Sequence, residues 1–143
     1  MIADYPAHPV HLSKLLGQPN HPACLRTRSG NSPVSHIIEK FEDYADVGFA
    51  VVLLTPDDQG GLAEAATDQL QPRARQNVIF ELGYFIGRLS RARVCPLYVA
   101  GVEIPSDYSG VVFVPLDDAG MWRMQLAKEL KAAGFDVDMN RAL

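Results

Sequence analysis

Among the carboxylates of this 143-residue chain, Glu81 has the most unusual setting. It stands between Phe80 and Leu82 in the apolar-rich run Asn77-Val-Ile-Phe-Glu-Leu-Gly-Tyr-Phe-Ile86. At helical spacing Asn77, Glu81, Tyr84 and Arg88 share one side, away from most of the apolar stripe. Two readings follow. In one, this is an exposed polar face with Glu81 hydrogen-bonded to Asn77. In the other, Glu81 is a partly buried carboxylate beside an aromatic wall. In that second setting it could stabilise an oxocarbenium ion developing at a sugar carbon, as carboxylates do in glycoside cleavage. Gly83 and Gly87 in the same run each cost a helix about 1 kcal/mol relative to Ala. Their presence points to close approach by a ligand or a neighbouring element.

Other residues could do chemistry as well. Asp57-Asp58 suits a metal ion or the hydroxyls of a ribose, and suits a plain turn equally well. Arg73 and Arg75 near a helix start could hold a phosphate together with backbone N–H groups, or could be solvated surface. Glu103 and Asp107 fall in the loop-like stretch Glu103 to Gly110. Neither G-x-G-x-x-G nor a P-loop is present. The four histidines (His8, His11, His21, His36) are irregularly spaced, and Cys24 and Cys95 make no Cys-x-x-Cys or zinc spacing. No metal site is expected, and the cysteines read as two thiols in a reducing cytoplasm.

The elements that must position these residues are legible from Ser35 onward. Ser35 caps an expected helix to about Asp46, with Ile37, Ile38, Phe41 and Ala45 as its stripe. Gly48 to Leu54 is continuously apolar, which predicts a strand buried on both faces of a parallel sheet. About twenty mixed residues follow, broken by Gly60-Gly61 and Pro72, with Leu62 to Ala66 suited to a short helix. A helix is expected over Arg75 to Leu89, and strands over Arg93 to Val99 and Val111 to Pro115. Trp122, Leu126 and Leu130 predict an amphipathic helix over Ala119 to Ala133, stopped by Gly134. The alternation of helices with buried strands means an open α/β sheet, doubly wound by default. Ligands of such sheets bind outside the carboxyl ends of the strands. That rule selects Thr55, Asp57 and Asp58, the loop with Glu103 and Asp107, and the start of the helix carrying Arg75, Asn77 and Glu81.

Composition bounds the rest. Hydrophobic residues at 48% and charged residues at 21% describe one globular domain. The longest apolar stretch, Gly48 to Leu54, is far short of the ~20 residues of a membrane span, and no secretory signal is visible at the start. A net charge of −4 without a basic run argues against nucleic acid as a partner. Residues 1–36 differ from the remainder. They hold every histidine and Pro6, Pro9, Pro19, Pro22 and Pro33, and up to Ile38 Asp4 is the one acid against Lys14, Arg26 and Arg28. This stretch reads as a solvated arm, with a short strand at Ala23 to Leu25.

Three runs carry a resemblance. Ile37-Ile-Glu-Lys-Phe-Glu-Asp-Tyr-Ala-Asp-Val-Gly-Phe-Ala-Val-Val-Leu-Leu-Thr-Pro-Asp-Asp58 resembles the bacterial TIR-like, predicted nucleotide-binding family. So do Arg73-Ala-Arg-Gln-Asn-Val-Ile-Phe-Glu-Leu-Gly-Tyr-Phe-Ile-Gly87 and Gly101-Val-Glu-Ile-Pro-Ser-Asp-Tyr-Ser-Gly110. Members include the TIR domains of STING-linked effectors in the CBASS and Pycsar antiphage systems. The resemblance implies a flavodoxin-like TIR fold with a mostly parallel, five-stranded sheet flanked by helices. It divides the chain into a divergent or frame-shifted N-terminal segment, 1–36, and a TIR-like domain, 37–143. On that division the N-terminal strands are missing or remodelled, and the central strand lacks a partner.

The implied activity is that of a NAD⁺ glycohydrolase cleaving the nicotinamide–ribose bond, with NAD⁺ as substrate and no cofactor. The family's catalytic glutamate falls on Glu81, and its active-site loop aspartate on Asp107. Asp57, Asp58, Arg75 and Asn77 would shape the substrate pocket, and Tyr84 and Tyr108 could stack on a ring. Activity on assembly into a homo-oligomer or filament is implied, with a cyclic-nucleotide sensor on another chain. Two alternatives stay open: a nucleoside deoxyribosyltransferase-like enzyme, and a non-catalytic TIR-like module that binds nucleotide or assembles.

Overall fold

A computed structural model describes residues 24–27 and 47–142. The expected helix over Ser35 to Asp46 and most of the N-terminal arm lie outside the described residues. Strand β1 (Cys24–Thr27) is followed by β2 (Phe49–Leu54), β3 (Asp58–Gly60), β4 (Gln71–Arg73), helix α1 (Gln76–Leu89), β5 (Val94–Tyr98), β6 (Val114–Pro115) and α2 (Met121–Ala132). Among the described residues β1, β2, β5 and β6 form one parallel sheet in that spatial order, and β3 and β4 form a separate antiparallel ribbon. This is the α/β architecture expected from the sequence, with four strands described in the parallel sheet where the resemblance implies five.

β2 is central because its side chains suit no other place. All six of its residues are buried, and they alternate between two cores. Ala50, Val52 and Leu54 face α1, packing with Ala74, Val78, Leu82 and Phe85. Phe49, Val51 and Leu53 face α2, packing with Trp122, Leu126, Ala127 and Leu130. Each fully buried aliphatic side chain contributes about 1.5–3 kcal/mol relative to an exposed one, so the six together fix the strand between two helical layers. β5 repeats the alternation, with Val94 toward α1 and Cys95 and Leu97 toward α2. Parallel neighbours require a crossover, and α1 supplies it between β2 and β5.

The expectation that the central strand lacks a partner is overturned. Residues Cys24 to Thr27 pair in parallel with Phe49 to Val52, while β5 pairs along the other edge of β2. The short strand expected over Ala23 to Leu25 lies at Cys24–Thr27. Three other expectations change in detail. Leu62 to Ala66 forms turns, and a single 3-10 turn sits at Thr67–Gln69 instead. The strand expected over Val111 to Pro115 shortens to two residues because it pairs only at Leu97↔Val114 and Tyr98↔Pro115. The long loop after β2 contains the β3–β4 ribbon, whose strands are three residues each and too short to show alternation.

Both ends of α2 are closed by recognisable chemistry. Asp117 accepts from the backbone N–H groups of Met121 (2.9 Å) and Trp122 (3.0 Å), satisfying two donors at the start of α2. At the other end Gly134 adopts φ +93°, and the N–H groups of Gly134 and Phe135 return to Lys131 and Leu130.

Candidate functional site

Glu81 lies in the second turn of α1 and is only 5% exposed, alongside Val78, Leu82 and Phe85. This corrects the reading of an exposed polar side. Asn77 and Arg88 are exposed and Tyr84 is partly buried, but Glu81 belongs to the buried stripe. The reason is angular: on a 3.6-residue helix position 81 lies about 40° from Phe85 and 60° from Val78. A partly apolar wall is present too, since Tyr84 and Phe85 meet edge-on with ring centroids 5.2 Å apart. Placing a carboxylate in the core disfavours its charged form unless partners compensate, and side chains in such settings are frequent functional sites.

Thr55 is the other buried polar residue among those described. It ends β2, and its hydroxyl donates to Asp57 Oδ2 at 2.5 Å while the Asp57 N–H returns to the Thr55 carbonyl at 2.8 Å. Asp57 therefore closes a tight turn at the carboxyl end of the sheet. Asp58 begins β3 opposite Arg73, and the two side chains form an ion pair at 3.6 Å. Arg75 occupies the position just before α1 and Asn77 its exposed first turn.

Asp107 and Tyr108 lie in the loop after β5, and the structure brings both to α1. The Tyr108 hydroxyl would stand 3.4 Å from a Cβ placed on Gly83, so Gly83 is the point of close approach that its residue type suggested. Asp107 is exposed and lines an open groove of about 730 Å³ with Gly87, Arg88, Ser90, Arg91 and Tyr108. Arg91 holds the far side of this loop by donating to the Ser109 carbonyl at 3.1 Å.

Glu81 is not among the residues of that groove. Two residues along a helix turn the side-chain direction by about 200°, so Glu81 and the Gly83 surface under Tyr108 lie on opposite flanks of α1. Asp57 and Asp58 thus follow the carboxyl end of β2, and Arg75 and Glu81 belong to the start and second turn of α1. Asp107 and Tyr108 line the groove at the C-terminal end of α1, where Arg88 lies about 20° from Glu81 around the helix axis. Sequence reasoning missed the Asp58–Arg73 pair and the Asp117 cap. Gly60 ends β3 and Pro72 stands in the middle of β4, and neither carried a pairing signal.

The chain matches known proteins over most of its length. The model of the TIR domain of the CAP12/Pycsar effector protein family matches residues 10–118. The uncharacterized protein YuaY of Escherichia coli K12 is 49% identical over 108 residues, 75% of this chain and 36% of its own length. The Pycsar effector protein PaPycTIR of Pseudomonas aeruginosa is 38% identical over 82 residues, 55% of this chain and 25% of its own. CD-NTase-associated protein 12 of Niabella drilacis is 35% identical over 69 residues, 48% of this chain and 21% of its own. The chain thus spans about a fifth to a third of the length of these relatives. No solved structure matches it. With a parallel sheet, a glutamate buried on the helix after its central strand and a family match over residues 10–118, this chain belongs to the CAP12/Pycsar effector TIR-domain family.

Proposed function

We propose that this chain is the NAD⁺-cleaving module of a TIR-type antiphage effector, breaking the nicotinamide–ribose bond. The burial of Glu81 on α1, inside the family's domain, is the observation that carries the reading. As the glycosidic C–N bond lengthens, its electrons leave with nicotinamide and positive charge develops on the ribosyl carbon and ring oxygen. The Glu81 carboxylate stabilises that charge where water is excluded and competing solvation is weak. Water then adds to the ribosyl carbon and releases a proton, giving ADP-ribose; attack by the substrate's own adenine would give a cyclic product. Asp57 and Asp58 shape the edge of the pocket, Arg75 and Asn77 face the diphosphate and ribose, and Asp107 orients a sugar or the nicotinamide amide.

That Glu81 is not in the lining of the Asp107 groove supports a pocket completed between neighbouring copies, one giving Glu81 and the next Asp107 and Tyr108. Assembly would follow a cyclic-nucleotide signal from a sensor carried elsewhere, in keeping with the printed names of the Pycsar and CD-NTase-associated relatives. Cytoplasmic NAD⁺ is the substrate pool this reading requires. Among the described residues no helix is long and apolar enough to cross a membrane. Release of nicotinamide from NAD⁺ by the purified chain at high concentration tests the proposal. Binding of NAD⁺ or assembly without release would favour a non-catalytic module, and cleavage of deoxyribonucleosides in its place would favour the deoxyribosyltransferase-like reading.

A further inference from the structure

The β3–β4 ribbon ties together the two chain segments that bear the proposed catalytic groups. Arg73 is the centre of this tie. Its side chain reaches across the ribbon from its partner Asp58 to lie over Gly60, where an added Cβ would collide with Nη1 and Cζ of the guanidinium. Gly60 is buried beneath it. On the other edge of β4 Arg73 bridges in parallel to Glu103, and the Glu103 N–H donates to the Pro72 carbonyl at 2.7 Å. Chain continuity does the rest. Ala74, next after Arg73, is buried in the core under α1, and Glu81 follows within two turns of the helix. Four residues beyond Glu103 comes Asp107.

We infer that the Gly60–Asp58–Arg73 clasp is a positioning device that fixes the start of α1 and the 103–110 loop against each other. It rests on the reading of Glu81 and Asp107 given above. Arg73 and Asp58 are partly exposed at 35% and 44%, so their ion pair adds little to global stability. Its value is geometric: only glycine leaves room for the guanidinium to lie on the ribbon, and that seat sets how β4 meets Glu103. Small displacements of reacting groups cost rate steeply.

Gly60→Ala is the cleanest test, because the collision is with the far end of a flexible side chain that can swing away without unfolding the sheet. Hydrogen exchange of the full chain should then show faster exchange in both 74–80 and 103–109, with an unchanged melting midpoint. Faster exchange confined to the ribbon, or none, would overturn the inference. In nicotinamide release, Gly60→Ala and Arg73→Gln should lower kcat about ten- to a hundredfold with KM within about twofold. Arg73→Lys, which keeps the charge opposite Asp58, should recover part of the loss. A wild-type chain that releases no nicotinamide would sink the functional reading, while the exchange data would still decide the clasp.

Discussion

At the scale of single residues, the chemistry rests on how a carboxylate comes to lie in a core. Glu81 is buried on α1 together with Val78, Leu82 and Phe85, at the edge of the face that anchors the helix to β2. Replacing it with the nearly isosteric glutamine keeps the shape and removes the charge. Glu81→Gln should therefore retain the fold, with a thermal midpoint near that of the wild type, yet lose turnover by at least about a hundredfold, the scale of losing one electrostatic stabiliser. The residue type at 81 was legible in the sequence, whereas its burial was not. Apolar-stripe reasoning places charged residues outside by default, and position 81 lies on the stripe's edge, where either outcome is geometrically allowed. Asp58 was legible as a carboxylate after a strand, but its partner Arg73 was hidden because fourteen residues without a clear period lie between them.

At the scale of elements, β2 was readable because burial on both faces demands an unbroken apolar run, and Phe49 to Leu54 supplies one. The helix α1 was readable from Val78, Leu82 and Phe85. β3 and β4 were not, since Asp58-Gln-Gly60 and Gln71-Pro-Arg73 have neither alternation nor strand-forming residues. Two predictions belong here. Among the described residues a Cβ on Gly87 would meet nothing within 4 Å, so the helix carries the entropic cost of glycine without a contact there. Gly87→Ala should raise unfolding free energy by about 0.5–1 kcal/mol, read as a higher urea midpoint at unchanged slope. Asp117→Ala removes the acceptor for the Met121 and Trp122 N–H groups and should lower stability by about 1 kcal/mol in the same titration.

For the whole molecule, α1 has a Glu81 flank and, among the described residues, a groove lined by Asp107 and Tyr108 that does not include Glu81. If neighbouring copies complete each other's pockets, specific activity should rise with protein concentration. Glu81→Gln and Asp107→Asn, each inactive alone, should then restore turnover on mixing, because some pockets would pair an intact Glu81 with an intact Asp107. Activity linear in concentration and no recovery on mixing would place both groups in one copy. The buried core sets the tolerance of this architecture. Leu126→Ala, at a fully buried site between α2 and the sheet, should cost about 2–5 kcal/mol in chemical denaturation and weaken the chain without touching Glu81 or the groove.

The central claim, that a buried glutamate on α1 drives cleavage of NAD⁺, is met most directly by one comparison. Initial rates of nicotinamide release would be measured at high protein concentration for the wild-type chain and Glu81→Gln, both shown to be folded by thermal melting. The account predicts release by the wild type and a loss of at least about a hundredfold in the variant. Equal rates in the two, or no release from folded wild-type protein, would contradict it.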